Sequence, residues 1–213
     1  MKVALGMVTL GCMGRVARVV AGCWVLAGCA APGQQVTYDR YDARSSTYVN
    51  DTAGFALVFG RDWRVNTDAN TPGMLFKVLP VFTGTEVTLK AVAEGIGLWV
   101  ETTHVAHSIA LDQLQPVIYR NNEEYFRQYR YQPVSMEKKE AHGIEYVEWV
   151  YHLRSPDRDD TMVEALFLRA GYAVRIRART TTDRFDDVKG RIERLLGSLT
   201  AVDAAADALT TQP

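Results

Sequence analysis

Thr161-Met-Val-Glu-Ala-Leu-Phe-Leu168, then Arg169, Ala170-Gly171, and then Tyr172-Ala-Val-Arg-Ile-Arg-Ala-Arg-Thr-Thr181 is the stretch from which the fold is read. The second flank alternates arginine with apolar residues, the period-two signature of a strand, and the first is an apolar run of strand length. Only a hairpin fits the Ala170-Gly171 gap between them. A two-residue turn sets Arg169 opposite Tyr172, which places Glu164 opposite Arg177, Leu166 opposite Arg175 and Met162 opposite Arg179. Val163, Ala165, Phe167, Val174, Ile176 and Ala178 then share the other, core-facing side. A slip of one residue would reverse the faces and bury the arginines, at the desolvation cost of unpaired charge.

Before the hairpin, Ile144 to Leu153 reads as a third long strand, joined to it by the loop Arg154-Ser-Pro-Asp-Arg-Asp-Asp160. On the other side, a helix starting at Thr182 or Asp183 puts Asp186 and Asp187 in its first turn, where the helix dipole favours anions, and runs to Leu199. Its residues Phe185, Val188, Ile192, Leu195 and Leu199 recur at spacings of three and four, so one face is apolar and must pack on the sheet. Upstream, strands are expected at Phe55–Phe59, around Trp63–Val65, at Met74–Leu79, at Glu86–Val92 and at Leu98–Val100. A helix follows over Leu111–Arg130, with Pro116 best tolerated in a first turn that Asp112 would cap. This order predicts an α+β domain in which helices flank an antiparallel sheet.

Gly54-Phe-Ala-Leu-Val-Phe59 with Trp63, the mid-chain helix, the His142-Gly-Ile-Glu-Tyr-Val-Glu-Trp-Val-Tyr151 strand, the hairpin and the closing Leu196-Gly-Ser-Leu199 together resemble the PsbP-like superfamily. That group contains the photosystem II extrinsic P protein and DcrB-like envelope proteins. The resemblance spans about Ala53 to Thr200 and rests on element order and apolar anchors, with no catalytic motif. It implies an α-β-α sandwich used as a binding or assembly module.

The N-terminus reads as an address. Residues 1–28 contain no Asp or Glu, carry Lys2, Arg15 and Arg18, and end in an apolar run of about ten residues, too short to span the roughly 30 Å core of a bilayer. Leu26-Ala27-Gly28-Cys29 looks like the lipobox of bacterial lipoproteins, which implies cleavage before Cys29, diacylglyceryl attachment to its sulfur and palmitate-type acylation. Translation from Met13 would give a tidier signal than translation from Met1. With Ala30 after the cysteine, sorting to the outer membrane facing the periplasm is the expectation. Residues 29–52 then read as lipidated cysteine and flexible tether, 53–200 as the folded domain and 201–213 as a disordered tail.

All three cysteines, Cys12, Cys23 and Cys29, fall in this leader region, which removes disulfides, CxxC redox pairs and cysteine zinc sites from the domain. Beyond the signal, 21 of the 24 basic side chains remain against all 25 acidic ones, so no basic field draws nucleic acid. Gly95-Ile96-Gly97 opens like a dinucleotide fingerprint, but Val100 holds the next required glycine position. Asp68, Asn70 and Gly73 mimic a calcium loop that Leu79 leaves without its closing glutamate. No cofactor is expected.

Two constellations remain. His104 and His107 near Glu101 would offer a metal two imidazoles and a carboxylate if the segment were helical, while a polar loop is the plainer reading. Arg175, Arg177 and Arg179 form a stripe that could bind an anion or a partner, since guanidinium forks match carboxylates and phosphates. The alternative is a solvent-side face neutralised by Glu148 and Glu164, accessible and not catalytic. The chain therefore reads as a membrane-anchored envelope lipoprotein, a non-enzymatic accessory to an envelope protein partner. A metal-assisted hydrolase or a small-ligand carrier is the alternative.

Overall fold

The computed structural model describes residues 39–67, 71–72, 82–105 and 108–203. The cleavage region, Cys29, His107 and the strand expected at Met74–Leu79 lie outside them.

The hairpin forms as its spacing dictates. Strands β10 (Arg158–Arg169) and β11 (Tyr172–Thr181) pair antiparallel from Arg169 opposite Tyr172 to Asp160 opposite Thr181, with Glu164 facing Arg177. Ala170 and Gly171 take φ of 48° and 78°, the doubly left-handed pair that matches the twist of a two-residue turn. Strand β9 (Ile144–Ser155) continues the meander, and its link to β10 is shorter than the sequence implies. Ser155 already pairs with Arg158, so most of the expected loop is strand.

Beyond β9 lies a strand that apolar pattern alone misses, β8 (Gln132–Ala141), turned onto β9 at His142-Gly143. On the opposite flank β7 (Ile96–Val105) pairs with β11, β6 (Phe82–Ala93) pairs with β7, and the short β4 (Arg64–Asn66) and β5 (Thr71–Pro72) pair with β6. The eight strands run β4-β6-β7-β11-β10-β9-β8, with β5 also on β6.

A second, four-stranded sheet is ordered β1 (Asp39–Asp42), β2 (Thr47–Asn50), β3 (Phe55–Val58), β12 (Thr200–Ala201). It corrects the expected boundary, because residues 39–50, read as tether, are paired strand. Their polar surface hides their role. Tyr48 is fully buried and donates to Thr88 Oγ1 at 2.9 Å, Asn50 donates back to the Tyr48 hydroxyl at 3.1 Å, and Ala53 N–H reaches Asn50 Oδ1 at 2.7 Å. This chain of bonds ties the small sheet to β6. From the far end, Arg169 donates to the carbonyls of Gly54 and Val202.

Helix α3 (Phe185–Gly197) follows a single 3-10 turn at Thr182–Arg184 and ends two residues earlier than its apolar period suggests. Val188, Ile192, Leu195 and Leu196 bury with Phe55, Leu57, Phe167, Val174 and Ile176 in the larger core, on the face the hairpin register assigned to the interior. The mid-chain helix is two pieces, α1 (Leu111–Asn121) and α2 (Glu123–Gln128), broken at Asn122, whose side chain donates to the Ile118 carbonyl at 2.8 Å. Pro116 sits inside α1 on its exposed side, and Ala110, not Asp112, holds the cap position. Helix α1 packs on β9 and β10, where Leu114, Ile118 and Phe126 bury against Val147, Trp149, Tyr151, Met162 and Leu166. Both faces of the sheet are therefore covered at its centre, giving three layers.

Phe167 is completely buried between the sheet and Phe55, with ring centroids 5.3 Å apart. Phe167→Ala is expected to cost about 3–5 kcal/mol in urea unfolding. By contrast, Ala170→Gly removes a left-handed alanine and is expected to raise stability by up to about 1 kcal/mol, and a destabilised variant would contradict the turn geometry.

Candidate functional site

The arginine stripe lies on the sheet face opposite Phe167, with Met162, Glu164 and Leu166 beside it on β10 and Gly97, Trp99 and Glu101 on β7. Alternation fixes this face and does not expose it. Helices α1 and α2 cover the β9–β10 half, so the expectation of an accessible stripe is corrected. Arg175 is 2% exposed, its neighbour Glu164 is fully buried and Glu101 is 1% exposed.

Burial of three charges is tolerable only because they satisfy one another. Arg175 forks onto Glu164, with Nε at 2.7 Å from Oε2 and Nη2 bonded to Oε1, while its Nη1 lies 3.6 Å from Glu101 Oε2. Tyr151, reaching in from β9, donates its hydroxyl to Glu164. Arg177 gives Nη2 to Glu101 Oε1 at 3.1 Å and sets its guanidinium over the Trp99 ring, 5.4 Å from the centroid. The ladder thus spans β9, β10, β11 and β7. It also corrects the expected pairing, since Glu164 faces Arg177 in register but bonds the diagonal Arg175, where a bidentate fork is possible. Glu148, expected to neutralise the stripe, is on the other face and bonds Lys139.

Electrostatics follow from that enclosure. Desolvation works against the Arg175 charge, but Glu164 and Glu101 outweigh it and push its pKa up. Tyr151 is pushed well above the usual tyrosine value by burial first and the Glu164 charge second. The ladder is a structural element in which Arg175 and Arg177 direct hydrogen bonds at its own carboxylates, while Arg177 Nε makes none among the described residues.

Further along the stripe the covering ends. The Arg179 side chain is 38% exposed, and its Nε lies 3.1 Å from Asp160 Oδ2, which Arg158 Nε also reaches at 2.7 Å. Asp160 is 3% exposed, so this acid does not belong to a solvated loop tip, whereas Asp159 is exposed and bonds Thr182 and Arg154. The Thr182 hydroxyl at 2.7 Å lowers the Asp159 pKa.

His104 lies at the end of β7, exposed, with its ring edge-on to Tyr172 at 5.6 Å. Three residues from Glu101 on a strand, it belongs to the opposite face, so these two members of the proposed metal set do not converge. Among the described residues no group of three His, Cys, Asp or Glu side chains is arranged to hold a metal. Sequence reasoning missed Glu101, Tyr151 and Asp160 as partners of the stripe. The hairpin register named Glu164, but only the β7–β11 pairing, across more than seventy residues of chain, brings in Glu101.

No family model matches the chain, and no curated protein matches it. Among solved structures it resembles cyanobacterial PsbP (CyanoP) from Synechocystis sp. PCC 6803, at 16% identity over 83% of this chain and 98% of that one, with a TM-score of 0.50. Two more distant matches are PA94 of Pseudomonas aeruginosa, described as of unknown function and a putative regulator (11% identity, 72% and 87% coverage, TM-score 0.43), and LpqN of Mycobacterium tuberculosis, described as involved in cell envelope biogenesis (10%, 70% and 83%, 0.42). The fold is PsbP-like and α+β, as the element order implied.

Arg175→Met leaves Glu164 and Glu101 as buried charges with a weakened set of partners, so a loss of about 3–5 kcal/mol in urea unfolding is expected. Adding Glu164→Gln should recover part of that loss, and fully additive costs would show that the two groups are not coupled. Tyr151 supplies a pH dependence. Because its folded pKa is raised above the ordinary 10.0, its contribution is fully present below that value and is lost as pH climbs from there toward the folded pKa. Stability should fall above about pH 10, and Tyr151→Phe should flatten that fall in urea titrations between about pH 8 and 11.

Proposed function

We propose that this chain is a lipid-anchored protein of the bacterial envelope whose PsbP-like domain binds another envelope component without turning over a substrate. The observation that carries the anchoring is the coincidence of a basic start, a short apolar run and Leu26-Ala27-Gly28-Cys29, after which no cysteine occurs. Among the described residues no helix is long and apolar enough to cross a membrane, and in this reading acyl chains on Cys29 are the attachment. They would place the domain at the membrane surface, and outer-membrane sorting is the finer part of the proposal.

The binding role is supported by how the polar side chains are used. Arg175 and Arg177 are directed at Glu164 and Glu101, and Asp160 holds Arg158 and Arg179, so the strongest charges of the sheet stabilise the fold. A catalyst needs a nucleophile or proton-transfer group within reach of both a substrate and a second activating group. The ladder is instead buried, with α1 and α2 over its β9–β10 side. A three-layer scaffold whose strongest sheet charges are engaged internally suits recognition.

Mass spectrometry of the mature N-terminus from envelope fractions is expected to find a diacylglyceryl-modified Cys29, and Cys29→Ser should release the protein into the soluble fraction. An unprocessed chain beginning at Met1 would overturn the anchoring. Crosslinking of detergent-solubilised envelopes should trap a discrete partner through the wild-type domain. Substrate turnover lost on a single polar substitution would overturn the binding role.

A further inference from the structure

The end of the sheet where the β6–β7 turn meets the last residues of β11 carries a cleft of about 310 Å³, at the lower end of the range of small-molecule sites. Its lining combines Val92, Gly97, Trp99, Asp160, Arg179 and Thr180. Trp99 is half-buried and lies along its own strand above Gly97, where an added Cβ would come within 3.0 Å of the indole Cη2. A glycine at 97 is what lets the ring lie close to the sheet. The Arg177 guanidinium over the ring helps hold it there. Beside it, Val92 is 49% exposed, an apolar side chain left at the rim.

The polar members divide in an informative way. Asp160 is already shared by Arg158 and Arg179, so the cleft has both donors and acceptors but little uncompensated charge. Alternation along β11 turns the buried Thr180 side chain to the opposite, core-facing side, so its hydroxyl takes no part in the cleft. A free anion would meet the Asp160 carboxylate and gain little from an arginine whose charge is spent. A wholly apolar ligand would leave the outer N–H groups of Arg179 unsatisfied.

We propose that this cleft binds a saccharide unit of an envelope glycan, with the C–H face of a pyranose ring against Val92 and the accessible part of the Trp99 indole, and its hydroxyl groups bonded by Arg179 and Asp160. Sugars present an apolar C–H face and a rim of neutral hydroxyls that both donate and accept, which is the chemistry the lining offers. The ring replaces water on the indole, and the paired Arg179 and Asp160 read hydroxyl positions without demanding charge. This deepens the binding role proposed above by naming a ligand class, and it rests on that role.

The test uses the full-length protein in detergent. Chitotriose and maltotriose are titrated to about 10 mM while the indole N–H signals of the tryptophans are followed by NMR, and affinities are taken by calorimetry. At least one trisaccharide is expected to move the Trp99 signal saturably and leave the buried Trp149 signal in place. Trp99→Ala and Arg179→Gln should each weaken binding by about tenfold or more, while Arg154→Ala, outside the cleft, should not. Gly97→Ala provides a second variant that displaces the ring and retains the tryptophan, and it should weaken binding with the unfolding transition preserved. No movement of Trp99 with either trisaccharide, or stronger displacement by inorganic phosphate or adenosine, would overturn the saccharide site. If the saccharide fails while a crosslinked partner persists in the Trp99→Ala variant, only this assignment falls and the protein-binding role stands.

Discussion

Arg175 sits at the centre of the molecule, its guanidinium clamped by Glu164 on one neighbouring strand and faced by Glu101 on the other. The charge network links four adjacent strands, and α1 and α2 cover its β9–β10 side. Charged groups removed from water in this way are costly unless every partner is in place, so the ladder forbids alternative registers of β7, β10 and β11 more strongly than apolar packing would. An apolar core tolerates a sliding strand better than a carboxylate that must meet a particular fork. The network supports the fold by excluding its competitors, whatever its net contribution to stability.

That constraint divides the sheet face. Where α1 and α2 lie over β9 and β10, aromatic side chains close the layer: Phe126 packs against Trp149 and Tyr151 with centroids 5.6 Å apart in both cases, and Trp149 donates to the Tyr131 hydroxyl at 3.1 Å. Toward the β6–β7 turn the stripe passes from sealed Arg175, through Arg177 stacked on Trp99, to the part-exposed Arg179. One run of alternating arginines thus serves two ends, an enclosed structural one and an open one able to meet a ligand.

The sheet's outer strand shows the same economy. Strand β8 is exposed along nearly its whole length, including Val134 at 51% and Met136 at 60%, yet it carries Pro133, a register shift beside it, and Lys138 and Lys139. A proline without an N–H, a bulge and charges are the means by which an edge strand avoids pairing with another chain.

The hairpin register, the core face of β10 and β11, the apolar face of α3 and the removal of thiol chemistry from the domain are all legible in the order of residues. Each is short-range information, since a two-residue turn and a period of two or 3.6 leave little freedom once the spacing is known. The order of residues also carries the lipobox-like leader. Strand β8, with no buried alternation, and the hairpin β1–β2, with its polar surface, were illegible because their strand character comes from neighbours. The burial of Arg175, its pairing with Glu101 and the place of Arg179 at an open cleft come from long-range contacts. Period two says which side chains share a face; what lies above that face depends on the α1–α2 layer and on the β7–β11 pairing, which are contacts between segments distant in the chain.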